Sequence, residues 1–346
     1  MNTKLTGKPA PSRLQKLLAG NFGAPSDQVI VGPGAGLDAA VLDLGDGRVM
    51  AIAEDPIFPA PGLPLEIMGQ FTVHIGASDV AVTGVKPRFM TYTLLLPRSS
   101  PESDAKTVIE AISRHCADLG IAILGGHTGW YDAVTIPIIG GVAVWGFAER
   151  GEWVSPGGAQ EGDTILLTKG PAIEAAALLA IVYRDRLRRS LPEALLSRAC
   201  ARADEITVVD DALTGFAAGG VHAMHDATEG GVIGGLWEMA HASGLGVDAD
   251  LDRVPVPDDI RAVSGALGFD PWHAISEGTL LAAAAPEAAG AVISALAARG
   301  IPAWPAGRFT SAHAEVRVRL HGREAPVGEP SEDPFWALFF AGIGAA

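Results

Sequence analysis

Residues 29–43, Val-Ile-Val-Gly-Pro-Gly-Ala-Gly-Leu-Asp-Ala-Ala-Val-Leu-Asp, set three glycines between two apolar runs. Val29–Val31 and Ala39–Leu42 read as strands. Gly32, Gly34 and Gly36 between them let the backbone approach a bound group closely and leave its N–H groups free, which suits a phosphate. Asp38 follows directly, and a carboxylate beside phosphate oxygens is the setting that holds Mg²⁺. The spacing matches neither G-x-G-x-x-G nor G-x-x-x-x-G-K-[ST], so a plain glycine-rich turn between strands stays open. The series of acids downstream carries the functional reading.

Around this segment the chain alternates strand and helix signals. A short helical pattern (Leu14, Leu17, Leu18) ends at Gly20 and Gly23. Strands Val29–Val31, Ala39–Leu44 and Val49–Ala53 follow, with Gly45-Asp-Gly47 as a turn, after which Ala-Glu-Asp-Pro at 53–56 leaves the sheet. A proline-rich loop from Pro56 to Pro64 leads into a helix over 65–85. Strand 88–96, helix 103–119, strand 121–125 and strand 135–147 complete a first half, 1–155, and residues 155–163 read as the linker. In the second half, 156–325, strand 164–169 precedes an Ala/Leu-rich helix, and a helix over 204–218 precedes a glycine-opened helix reaching Ser243. Helix, strand and helix over 258–268, 272–284 and 286–299, then strands 302–309 and 314–320, lead to an aromatic tail, 326–346. Both halves mix strands and helices, which indicates an α/β or α+β fold of two domains.

Composition bounds the function. With 346 residues, 48% hydrophobic and 19% charged, the chain is a globular protein with room for two cores. A net charge of −15 argues against a nucleic-acid surface, so a small polyanion would need Mg²⁺ and backbone N–H groups to neutralise it. No run of about 20 apolar residues suggests a membrane span. The 2 cysteines, Cys116 and Cys200, sit in helical patterns and read as structural thiols. The N-terminus has no apolar signal region, so a cytoplasmic location is expected. The basic run 183–189 reads as a solvated helix surface.

Several positions are suited to chemistry. Asp55 ends a strand, where α/β proteins commonly bind ligands. Asp79 lies in an otherwise apolar helix, where an acid is costly unless paired or cation-bound, although a surface or capping role is the plain alternative. Glu54 and Glu66 read as solvent-facing. Gly125-Gly-His-Thr128 follows an apolar strand, so the backbone can approach a ligand and aim His127 and Thr128 at it; a structural histidine is the alternative. His225-Asp-Ala-Thr-Glu-Gly-Gly231 places Asp226, Thr228 and Glu229 before the glycines of a helix N-terminus, which attracts anions, unless Asp226 or Thr228 simply caps that helix. His222 and His225 lack a second ligand pair, so zinc is discounted. Glu277, in Ser276-Glu-Gly278 at a strand edge, is a candidate general base.

Taken in order, Gly34-Ala-Gly-Leu-Asp-Ala-Ala-Val41, Asp55-Pro, Ser78-Asp-Val-Ala81, Gly125-Gly-His-Thr128, Leu167-Thr-Lys-Gly170, Met224-His-Asp-Ala-Thr-Glu-Gly-Gly231 and Ser276-Glu-Gly278 resemble the aminoimidazole-ribonucleotide-synthase-like (PurM-like) superfamily. Within it the chain looks most like the HypE-like, hydrogenase-maturation branch, with thiamine-monophosphate kinase and selenophosphate synthetase as further relatives. The resemblance covers roughly residues 5–320. It implies an N-terminal domain whose sheet pairs into a β-barrel across a homodimer, a C-terminal α/β domain, and a cleft for ATP and Mg²⁺. It further implies phosphorylation of an acyl, amide or carbamoyl oxygen on a small-molecule or protein-borne substrate, and a maturation partner protein.

Carried over by motif, Asp38, Asp55 and Asp79 are Mg²⁺ ligands. Gly34, Gly36, Gly125, Gly126, Thr128, Lys169, Thr228, Gly230 and Gly231 bind the cofactor. The resemblance likewise implies catalytic roles for Glu277, Asp226 and His127, with His127 standing where relatives commonly place an acid. The branch ends in a cysteine that carries the thiocarbamate, whereas this sequence ends Phe339-Phe-Ala-Gly-Ile-Gly-Ala-Ala346. A small-molecule kinase and a non-catalytic nucleotide-binding maturation partner are the alternative readings.

Overall fold

The computed structural model describes residues 7–57, 63–313, 315–330 and 332–343. Its first unit comprises α1 (Pro11–Leu18), β1 (Val29–Val31), β2 (Ala40–Asp43), β3 (Arg48–Ile57), α2 (Leu65–Ala81), β4 (Phe89–Pro97), α3 (Glu102–Leu119), β5 (Ala122–Tyr131) and β6 (Ile138–Glu149). The strands form one six-stranded sheet in the order β1-β2-β3-β6-β4-β5. Period-two alternation decides its faces: along β3, Val49, Ala51 and Ala53 are buried while Met50, Ile52 and Glu54 look the other way. Helix α2 lies on the buried face, and glycines let it lie close. A Cβ on Gly69 would stand 2.5 Å from that of Ala111 on α3, and one on Gly76 would stand 3.0 Å from Val144 of β6.

The second unit carries β7 (Thr164–Thr168), α4 (Ile173–Val182), α5 (Arg184–Leu187), α6 (Glu193–Ala201), α7 (Val209–Ala217), β8 (Val221–Asp226), α8 (Gly231–Ser243), β9 (Gly246–Asp250), α9 (Asp258–Leu267), β10 (Leu280–Ala284), α10 (Ala289–Ala298), β11 (Ala303–Thr310), β12 (Val316–Leu320), β13 (Arg323–Val327) and α11 (Pro334–Ile343). Its seven-stranded sheet runs β13-β12-β9-β11-β7-β10-β8. Helices cover both faces, so the inner strand β10 is a continuous apolar run, Leu-Leu-Ala-Ala-Ala. Leu280, Ala282 and Ala284 join a core that continues from the first sheet through α2 and α4, whereas Leu281 and Ala283 join a separate core beneath α8. Among the described residues no helix is long and apolar enough to cross a membrane.

Three expectations change. Asp55 lies within β3 rather than beyond it, because the strand continues across a register irregularity between Asp55 and Ile57 that accommodates Pro56. Gly125-Gly-His-Thr128 lies inside β5 rather than at its end, and the proline-rich loop falls partly outside the described residues. The tail also belongs to the second unit: β13 extends the sheet, and α11 packs against α4 with Phe335 and Phe339 buried. Apolar residues in that tail made this core.

Candidate functional site

The two units meet where α2, β8 and the turn before β10 come together, and there the acids converge. Asp38, at the end of the glycine segment, receives a hydrogen bond from His225 Nδ1 at 2.8 Å, while His225 Nε2 donates to Glu238 of α8 at 2.9 Å. Burial disfavours a charged imidazole at His225, yet Asp38 and Glu238 overcome it and hold the ring well above its usual range. Burial, with Asp226 and Glu238 adding, pushes Asp38 up to about 7 against the pull of His225. Asp79 is raised well above the carboxylate range by burial and by the charges of Asp55, Asp226 and Asp38. Glu277 is likewise raised by burial, with the charges of Asp226 and Glu174 adding. Acids from distant parts of the sequence therefore share one hollow, and their mutual repulsion is a reason for a cation to bind there.

Unpartnered atoms point the same way. Asp55 Oδ2, both carboxylate oxygens of Asp226 and both of Glu277 are buried with no hydrogen-bond partner. Atoms of Asp38, His225 and Asp226 lie within 4.8 Å of one another, close enough to share an ion. Since both nitrogens of His225 are engaged by carboxylates, the free donors are oxygens, a set that fits Mg²⁺ rather than zinc. Asp226 therefore joins Asp38, Asp55 and Asp79 as a candidate ligand.

A cavity of about 200 Å³ opens onto this cluster, lined by Gly34, Gly36 and Asp38 on one side and by His225, Thr228 and Glu238 on the other. The N-terminal arm reaches into it. Lys8 donates its backbone N–H to Glu229 at 2.8 Å and points its ammonium at Thr228 Oγ1, 3.3 Å away. The residue as a whole stays exposed while the ammonium end lies among acids. Desolvation would lower its pKa, but Glu238, Asp55, Asp79 and Glu229 outweigh that and raise it. Lys8 thus adds a second positive charge to the site beside the His225 ring.

Profiles for the N-terminal and C-terminal domains of AIR synthase related protein match residues 36–147 and 160–319. The chain belongs to the AIR synthase related protein family. Relatives include a carbamoyl dehydratase HypE of Cupriavidus necator, 29% identical over 77% of this chain and 74% of that one. Another is a selenide, water dikinase of Rhizobium meliloti, 30% identical over 90% and 94%. A crystal structure of hydrogenase maturation protein HypE in complex with ATP superposes with a TM-score of 0.67 at 23% identity, covering 95% of this chain and 97% of that one. The HypE–HypF complex gives a TM-score of 0.72 at 19% identity, covering 92% and 99%. The mixed α/β, two-sheet architecture is thus the PurM-like fold.

Other expected site residues of this AIR synthase related chain are placed differently. His127 lies on the edge strand β5, in register with Thr93, then Gly141, three strands from Asp55 on β3. At about 4.8 Å per strand that is roughly 14 Å, so Gly125, Gly126, His127 and Thr128 do not join the acids of their own chain. His127 instead bonds the Tyr131 hydroxyl. Lys169, held at a positive φ of 60°, turns to Asp211 at 3.0 Å and to the Thr207 carbonyl at 2.7 Å, leaving it unavailable to the cleft. The N–H of Gly230 is taken by the tail carboxylate of Asp333 at 2.8 Å, and that of Gly231 by the Thr228 carbonyl at 3.0 Å. The anion-attracting helix end is thus occupied from within, and neither Asp226 nor Thr228 caps it. Strand alternation sends His222 away from His225, to Asp163 at 2.9 Å.

Lys8, Glu238, Glu174 and Asp333 escaped the sequence reading. Glu174 alone left a signal, as the single acid in the apolar helix Ile-Glu-Ala-Ala-Ala-Leu-Leu. Its burial, with Asp333 and Glu229 adding, pushes it up to about 8.

Proposed function

We propose that this chain is a HypE-like, ATP-dependent enzyme that phosphorylates an acyl, amide or carbamoyl oxygen so that it can leave. The convergence of Asp38, Asp55, Asp79 and Asp226 with unpartnered buried oxygens carries this reading. Asp38, Asp55, Asp79 and Asp226 would hold Mg²⁺, which when bound neutralises the phosphates and the charge that develops on them. Gly34 and Gly36 let the backbone line the cavity closely, and Lys8 supplies a cation at its mouth. Glu277, buried and raised in pKa, is suited to take a proton from a donor seated against it. Support comes from the likeness to carbamoyl dehydratase HypE and to HypE in complex with ATP.

A homodimer fits the first sheet. Ile123, Leu124, Trp130 and Tyr131 are exposed on the edge strand β5, and a partner there would cover them. The likeness to HypE in the HypE–HypF complex supports a maturation partner protein as well.

Phosphorus NMR of the products tests the reaction class. Inorganic phosphate together with a dehydrated or aminated product is the expected result. A stable phosphorylated product would instead establish the kinase reading, which the likeness to selenide, water dikinase favours.

A further inference from the structure

The acids of the cleft are carried by different units: Asp79 lies on α2 of the first, whereas Asp226 ends β8 and Glu277 precedes β10 in the second. One lysine is bonded toward both. Lys169 follows β7 in a three-residue γ-turn, closed by the Gly170 N–H on the Thr168 carbonyl at 2.7 Å, with a φ of 60°. That backbone is strained for a residue with a side chain and persists only where its surroundings impose it. It lets the Lys169 side chain and the adjacent Gly170 carbonyl serve different partners. The side chain, only 10% exposed, holds the Thr207 carbonyl at 2.7 Å and the Asp211 carboxylate at 3.0 Å. The Gly170 carbonyl accepts the Thr279 hydroxyl at 2.6 Å.

Both lines of hydrogen bonds end at the acids. On the first unit's side, Val208, next to Thr207, donates its N–H to Ser78 Oγ at 3.0 Å, and Ser78 immediately precedes Asp79. On the second unit's side, Ser276 Oγ lies 2.7 Å from Thr279 Oγ1, so the two hydroxyls bracket Glu277. Asp211 takes the Thr168 hydroxyl at 2.7 Å, and that hydroxyl oxygen accepts the Leu280 N–H at 3.1 Å. Leu280 stands opposite Asp226 in the β8–β10 ladder. We propose that Lys169 is a positioning residue, which registers Asp79 of the first unit against Asp226 and Glu277 of the second and so sets the width of the metal site. A lysine needed only to neutralise Asp211 would have no use for Thr207 or for a strained turn. The inference rests on the reading of the cleft as a site for ATP and Mg²⁺.

ATP binding to the full chain is measured by calorimetry at a series of Mg²⁺ concentrations, and the half-saturating Mg²⁺ is read. Lys169→Met should raise it about tenfold, the usual cost of losing an outer-shell partner of a metal ligand. A lysine that serves stability alone would change the fraction of folded, binding-competent protein and leave this half-point where it was. Ser78→Ala, which cuts the same line nearer Asp79, should raise the half-point as well. Combining the two should add little to the larger single effect, since residues of one network are not additive. Lys169→Met leaves Asp211 buried without its cation, so Lys169→Met with Asp211→Asn repeats the measurement with that charge removed. A half-point within about twofold of the unaltered chain's in either folded Lys169 variant, or full additivity with Ser78→Ala, overturns the proposal and leaves the nucleotide reading intact. No ATP binding by the unaltered chain at any Mg²⁺ concentration overturns that reading, and the proposal with it.

Discussion

Asp55 contributes an orphaned, buried oxygen to the acidic hollow, so its replacement by asparagine removes charge without removing shape. Asp55→Asn should weaken MgATP binding at least about tenfold, or about 1.4 kcal/mol, by calorimetry. An unchanged affinity would take Asp55 out of the site. Glu174 tests the cost of the same crowding. Its folded-state pKa of about 8 lies above the ordinary glutamate value of 4.5, so the stability it confers as a neutral acid is full below pH 4.5 and is lost as pH rises through 8. Glu174→Gln should raise the unfolding free energy near pH 8 by an amount on the order of a few kcal/mol and change it little near pH 4.5, measured by urea denaturation. Equal effects at both pH values would show that its charge is not the cause. Asp79 and Glu174 were open to sequence reading because a lone acid in an apolar helix has to be explained. Lys8 was not, because an exposed lysine near a terminus looks like any other.

Strand identity was easier to read than strand extent. Alternation and apolar runs indicated β3 and β5, but Pro56 and the glycine pair suggested ends where the structure has an irregularity and a continuing edge strand. Hydrogen bonding to β4 carries β5 through Gly125 and Gly126, and that partner is invisible locally. The pairing accounts for Gly126 more directly than ligand contact does: a Cβ there would lie 1.9 Å from the Tyr92 carbonyl oxygen. Gly126→Ala should destabilise the protein by roughly 2–4 kcal/mol by forcing β4 and β5 apart. A change below about 0.5 kcal/mol would mean that the strands yield freely. Gly278 follows the same logic, with φ of 101° and a would-be Cβ 2.4 Å from the Glu205 carbonyl, so the turn presenting Glu277 depends on glycine.

Across the whole molecule, the ordered motifs indicated two mixed α/β units and the acids that meet between them. The partner of each acid was not legible, since His225 with Glu238, and Asp333 with Gly230, pair only after folding joins the tail and α8 to the cleft. Carboxylates gathered without enough cations to balance them make the empty protein less stable than it would be when loaded, so a ligand that binds only the folded state should raise its melting temperature. Isothermal titration with ATP, with and without Mg²⁺, tests this most directly. Saturable binding that needs Mg²⁺ is expected; no binding in either case, or equal affinity without the ion, would contradict a cation-dependent nucleotide site built from these aspartates.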